Sequence, residues 1–216
     1  VGRNEGKIEG IRKGFPVIYE RGLKSLLDEV LAKRTLTATV DLENAIQNSD
    51  VSFICVGTPC RNDGSIDLTQ ISDAAKQIGC ALRDKVGYHV VVVKSTVVPG
   101  TTEDVVLPIL EKFSRKKVGI DFGICMNPEF LREGRAIDDF MFPKGTGIVI
   151  GEFDQKSGDL ISKLYEDFDG EILRTSIRAA EMIKYARNSY LAKDVSFANE
   201  IASICQRLGV DYLEVK

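Results

Sequence analysis

His89 to Val93 is one histidine followed by four consecutive valines, running straight into Lys94-Ser95-Thr96. A stretch that is apolar at every position has no polar face to turn toward water. It suits a strand of a parallel sheet, covered on both sides. "DVSFICVG", residues 50–57, is a second run of this kind. Parallel neighbours cannot be joined by a tight turn and need a crossover, usually a helix. Such a crossover lies between the two runs: "GSIDLTQISDAAKQIGCALRD" has helical spacing of its apolar residues, beginning near Asp67.

The same alternation continues in both directions. Upstream, "IEGIRKG" and "GLKSLLDEVLAKR" read as helices, with Gly22 in the turn before the second. "LTATV" reads as a short strand and "DLENAIQNS" as a helix opened by Asp41. Downstream, "PGTTEDVVLPILEKF" reads as a helix capped by Thr101 or Thr102. "FGICMNPEF", "GIVIGE" and "EILRT" are strand candidates, with the helix "KSGDLISKLYEDF" between the last two. From Ser176 to Leu208 the pattern is helical without a break. The expected fold is α/β, a doubly wound parallel sheet over residues 1–175 followed by the start of a long helix over 176–216.

Composition narrows the function. The 216 residues are 44% hydrophobic and 28% charged, the balance of an ordinary globular chain. A net charge of -3 gives no broad positive field, which argues against nucleic acid as a partner. No apolar run reaches the roughly 18 residues of a membrane helix. Five cysteines without paired spacing and a single histidine argue against a zinc site. Cys55 and Cys125 lie in apolar runs and are expected as small core residues in a reducing cytoplasm.

Ligands of doubly wound sheets bind beyond the carboxyl ends of the strands. Three such ends carry polar groups here: Gly57-Thr58-Pro59, Lys94-Ser95-Thr96, and Asn127 with Glu129 in "MNPEFLREGRA". The glycine-rich G-x-G-x-x-G turn that normally holds a dinucleotide pyrophosphate does not occur. Residue chemistry alone therefore reaches an α/β sheet with a polar crevice.

The ordered set "FICVGTP", "VVVVKSTVVPGTT", "NPEFLREGRAIDDF", "IVIGE" and "AEMIKYARNSYLAKDVSFANEI" resembles the UDP-glucose/GDP-mannose dehydrogenase family along nearly the whole chain. The resemblance implies NAD-dependent, two-step oxidation of a nucleotide-sugar C6 alcohol to the carboxylate, through a covalent cysteine adduct. It implies UDP-glucose as the preferred substrate, with GDP-mannose, a UDP-N-acetylhexosamine or a non-catalytic dinucleotide-binding remnant as alternatives. It also implies a homodimer formed through the central helix. Aligned by these motifs, the chain is expected to begin at the end of the family's second strand, without its first strand and glycine-rich turn. It is also expected to stop before the nucleophilic cysteine and the nucleotide-sugar domain, and to be inactive alone. "MFPKG", Met141 to Gly145, is only superficially similar to the cysteine motif, with Met in the place of Cys.

By the same resemblance, Glu129 manages a catalytic proton or water, and Glu133 lies near the nicotinamide and the sugar. If a helical turn starts there, their i, i+4 spacing puts both on one face. Phe130, Leu131 and Arg132 belong to the segment that cradles the sugar and phosphates. Lys184 and Asn188 act at the C6 oxygen, together with Thr96 at the hydroxyl or water. Lys7, Thr58, Thr96 and Glu133 contact the cofactor. Gly2 stands where the family shows an acidic residue for the ribose, beside Arg3, which leaves NADP as the alternative to NAD. No metal is implied.

Overall fold

A computed structural model describes residues 1–143 and 147–216, so the Lys144-Gly145 end of the "MFPKG" string lies outside the described residues. The sheet contains β1 (Val51–Ile54), β2 (His89–Val93), β3 (Phe122–Met126), β4 (Ile148–Glu152) and β5 (Ile172–Ser176), side by side in that order. Among them run α1 (Glu5–Arg12), α2 (Leu23–Ala32), α3 (Leu42–Gln47), α4 (Thr69–Arg83), a π-helical turn (Thr102–Val106) leading into α5 (Leu107–Ser114), α6 (Ala136–Met141) and α7 (Gln155–Lys163). The long α8 (Ile177–Leu208) follows β5, and a single turn, α9 (Tyr212–Val215), ends the chain.

The valine run behaves as its composition demands. Val91 and Val93 pack into a core with Ile71, Leu82, Leu110 and Ile124 on one face of the sheet. Val90 and Val92 pack with Cys125, Ile150, Ile161 and Tyr165 on the other. His89 is buried too, with Nδ1 against the Ser49 carbonyl at 2.9 Å and Nε2 against Ser52 Oγ at 2.7 Å.

One pairing departs from the expected parallel sheet. β1, β2 and β3 are parallel, as are β4 and β5, but β4 is antiparallel to β3. Among the described residues the connection from β3 carries six residues of α6 as helix, about 9 Å of rise, too short to cover the sheet face as a crossover helix does. β3 and β4 overlap only through Cys125↔Glu152 and Met126↔Gly151, while Glu152 pairs in turn with Ser176. The end of β5 therefore lies level with the carboxyl end of β3, with β4 between them, and α8 starts there. Gly151 permits the close approach: a Cβ on it would stand 2.7 Å from Ala180 Cβ and 2.8 Å from Ile177 Cα.

Other expectations fare differently. Asp41 caps α3 by accepting the Asn44 N–H at 2.9 Å, as read from the sequence. Thr101 and Thr102 do not cap their helix with side chains. The cap is Glu181 of α8, whose carboxylate accepts the N–H groups of Gly100 at 2.5 Å and Thr102 at 2.8 Å. "LTATV" is not a strand: its backbone is held only by Gly2 N–H to the Thr39 carbonyl and Arg12 Nε to the Ala38 carbonyl among the described residues, which is no ladder. Cys55 is exposed rather than core, because β1 ends at Ile54 on the open edge of the sheet, whereas Cys125 is fully buried.

Candidate functional site

The carboxyl ends of β1, β2 and β3 meet along one edge, and backbone and hydroxyl hydrogen bonds fasten them to one another. Ser95 Oγ donates to the carbonyls of Ile54 at 3.2 Å and Val56 at 2.7 Å. Thr58 Oγ1 donates to the Thr96 carbonyl at 2.7 Å, joining the first two turns. Asn127 N–H donates to the Val93 carbonyl at 2.9 Å, joining the third.

Glu129 lies two residues beyond Asn127 and is met from above by α8. Lys184 is buried, and its Nζ donates to the Glu129 carbonyl at 2.6 Å and to Glu129 Oε1 at 2.9 Å. The second carboxylate oxygen accepts the Leu131 N–H at 2.6 Å. The Phe130 ring lies under both cations of this helix face, 5.3 Å from Lys184 Nζ and 5.0 Å from the Arg187 guanidinium. A lysine taken out of water needs such partners, since an unpaired buried ammonium is costly.

The helical turn expected at Glu129–Glu133 is absent. Residues 127–132 are irregular, Glu133-Gly134 form a turn with Gly134 at φ 78°, and the helix begins only at Ala136. The local reason is competition from side chains. Glu129 spends an oxygen on the Leu131 N–H, and the buried Glu20 accepts Gly134 N–H at 2.8 Å and Ala136 N–H at 3.4 Å. Arg132 is clamped by Asp139: its backbone N–H and Nε both donate to Oδ2 at 3.0 Å, and a terminal nitrogen donates to Oδ1 at 2.6 Å. That clamp holds the Asp139 carboxyl below the ordinary aspartate value of 3.8, through the Arg132 hydrogen bond first.

The structure thus brings together Thr58 with Thr96, and Glu129 and Phe130 with Lys184, with Leu131 tied to Glu129. Glu133, Asn188 and Lys7 are exposed and make no side-chain hydrogen bond among the described residues. Asn188 stands one turn along α8 from Lys184. Lys7 faces a groove of about 830 Å³ between the N-terminal segment and the open edge of β1, which Gly2, Arg3, Cys55 and Gly57 also line.

The lining of this groove bears on dinucleotide binding. Its apolar floor (Ile8, Ile46, Phe53, Ile54) and its basic lip (Arg3, Lys7) fit an adenosine end and its phosphates. Gly57 is not a phosphate cradle, because a Cβ there would meet only Gln70 at 3.6 Å, an ordinary contact.

The sequence profile of the UDP-glucose/GDP-mannose dehydrogenase family, NAD binding domain, matches residues 1–169, and that of the family's central domain matches 178–216. The chain belongs to this family. It is 50% identical over 209 residues to a GDP-mannose 6-dehydrogenase of Pseudomonas syringae pv. tomato, covering 97% of this chain and 47% of that protein. It is 42% identical over 212 residues to the UDP-glucose 6-dehydrogenase TuaD of Bacillus subtilis, covering 98% of this chain and 44% of the relative. The solved ternary complex of GDP-mannose dehydrogenase from Pseudomonas aeruginosa superposes with a TM-score of 0.95 at 47% identity, covering 98% of this chain and 48% of that one. The chain spans about half the length of the curated relatives it matches. As in its family, residues 1–169 form an NAD-binding domain.

Reading the sequence missed the groups that hold this site in place. Glu20 and Glu181 act on residues more than 70 positions away and Asp139 on Arg132 seven positions away, and no local spacing marks them.

The Arg132–Asp139 clamp sets a pH test. A carboxyl whose folded pKa is depressed gives stability above its ordinary value, and that stability is lost as pH falls through the folded value. The Arg132 amide, protected by Asp139, is expected to lose hydrogen-exchange protection below about pH 3.8. Asp139→Asn is expected to lose it at every pH, by about two- to five-fold for an exposed pair. Equal protection in the variant and the parent at neutral pH would show that the clamp does not hold the loop.

Proposed function

We propose that the chain supplies the NAD-binding domain (residues 1–175) and the first part of the central helical domain (176–216) of a nucleotide-sugar 6-dehydrogenase. The observation that carries this reading is the reach of Lys184 from α8 to Glu129 at the carboxyl end of β3. It joins an ammonium and a carboxylate at the edge where doubly wound sheets bind ligands.

Oxidising a C6 alcohol to a carboxylate removes two hydrides and adds a water oxygen. NAD, when bound, supplies the hydride acceptor. Glu129, held through both oxygens, takes or relays the proton of the sugar hydroxyl or the attacking water. Lys184 stabilises negative charge developing on the C6 oxygen, with Asn188 and the Thr96 hydroxyl beside it. Phe130 and Leu131 wall the sugar site. Arg132 contributes backbone rather than charge, since Asp139 occupies its guanidinium. Lys7, Thr58, Thr96 and Glu133 face the cofactor, and NAD is preferred over NADP.

GDP-mannose moves ahead of UDP-glucose as the sugar to assay first. Relatives named for it are 47–50% identical, against 42% for the UDP-glucose enzyme of Bacillus subtilis. The five unpaired cysteines support a reducing, cytoplasmic setting. In the full-length protein carrying this chain, reduction of NAD is expected with one of these two sugars. Glu129→Gln is expected to lower kcat by about 10²–10⁴-fold with little change in KM, the signature of lost acid–base work. A variant with near-normal kcat would remove Glu129 from the chemistry, and an inert parent would mark a dinucleotide-binding protein without turnover.

The homodimer is also a proposal. α8 leaves Leu191, Val195, Phe197 and Ile204 between 47% and 63% exposed, an apolar surface that a second copy of the helix would cover. The full-length protein is expected to sediment as a dimer at micromolar concentration, and a monomer there would refute the assignment.

A further inference from the structure

Beneath Glu129 lies a second lysine that the mechanism above does not use. Lys94 follows β2, and its Nζ donates to Asn127 Oδ1 at 2.8 Å, lying 3.4 Å from the Asn127 carbonyl and 3.5 Å from Tyr165 Oη. Tyr165, beyond α7, donates its hydroxyl to the same Asn127 Oδ1 at 2.6 Å. Asn127 Nδ2 donates to the Val149 carbonyl of β4 at 2.8 Å. These partners settle the orientation of a side chain that is 1% exposed: two donors face its oxygen and one acceptor faces its nitrogen.

Asn127 is bound through its backbone to β2 and through its side chain to Lys94, Tyr165 and β4. Pro128, next in line, has a fixed φ. The chain therefore leaves β3 in one direction and delivers Glu129 to Lys184. Lys94 and Glu129 also line one small cavity of about 40 Å³, with Asn127 and Tyr165 among its other walls.

We propose that Lys94 is a positioning residue for Glu129: it locks the Asn127-Pro128 turn and sets a second positive charge below the carboxylate that Lys184 meets from above. The groups facing Lys94 are the Cys55 thiol after β1, Glu129 after β3, Tyr165 after α7 and Lys184 on α8. Burial lowers the Lys94 pKa from the ordinary lysine value, Cys55 and Glu129 work against that fall, and Lys184 adds to it. An amine that feels both members of the Glu129–Lys184 pair is coupled to the site electrically as well as mechanically. A strut that merely filled space would not be.

The proposal deepens the reading of Glu129 given above, and its test needs no turnover, so a failure of either is recognised separately. In the 216-residue chain, the Lys94 side chain is titrated by NMR. Glu129→Gln is expected to move its midpoint down, and Lys184→Met up, each by about half a unit or more, the scale on which charged neighbours act on a buried amine. In parallel, exchange of the Leu131 amide reports the Glu129 carboxylate that accepts it. Lys94→Met and the milder Tyr165→Phe are expected to speed that exchange several-fold while the β2 amides stay protected. If Lys94→Met does not fold, Tyr165→Phe decides. A Lys94 midpoint indifferent to both charge changes, or Leu131 exchange unaltered in Tyr165→Phe, would overturn the proposal.

Discussion

The contact between Lys184 and Glu129 constrains more of this structure than any other. Lys184 is 5% exposed, and its ammonium rests on the carbonyl and the carboxylate of one residue. Removing Glu129 would leave the buried Lys184 charge without its carboxylate, which is far more costly than never having built the pair. The start of α8 and the turn after β3 must therefore stay in register. Much of the surrounding architecture serves that register. The two-residue overlap of β3 with β4 brings Ser176 to the right place, Gly151 lets the helix lie close, and Glu181 pins it one turn before Lys184.

The carboxyl-edge turns are rigid for the same reason. Thr58, Ser95 and Asn127 each give hydrogen bonds to a neighbouring strand or turn, so the crevice is shaped by the sheet rather than by a loose loop. Even the segment between β3 and α6, which has no regular structure, is tied by Glu20 at one point and by the Arg132–Asp139 pair at another. Polar groups that would have made a helical turn are engaged elsewhere. Glu129 and Glu133 consequently have separate surroundings, one carboxylate ion-paired and the other in water.

How much of this could be read beforehand depended on the range of the interaction. Val90–Val93 announced a strand buried on both faces, because burial at every position needs no knowledge of distant residues. Asp41 announced its own cap across three residues. "LTATV" misled because strand-forming residues make a strand only beside a partner. The antiparallel β3–β4 pairing was hidden because it depends on where a short helix lets the chain go. Glu129 and Lys184 were named through family resemblance, since a lysine on a helix ordinarily reads as a solvated face. Glu181 and Tyr165 were not legible at all: their partners lie 81 and 38 residues away.

A double-mutant cycle on this chain examines the central contact directly. Lys184→Met, Glu129→Gln and the pair together would be compared by denaturant unfolding. If the ion pair sets the register of α8, the two substitutions are coupled by about 1–3 kcal/mol, with the double variant more stable than the sum of the singles implies. Effects that add to within about 0.5 kcal/mol would mean that the two groups are independent neighbours, and would contradict the account.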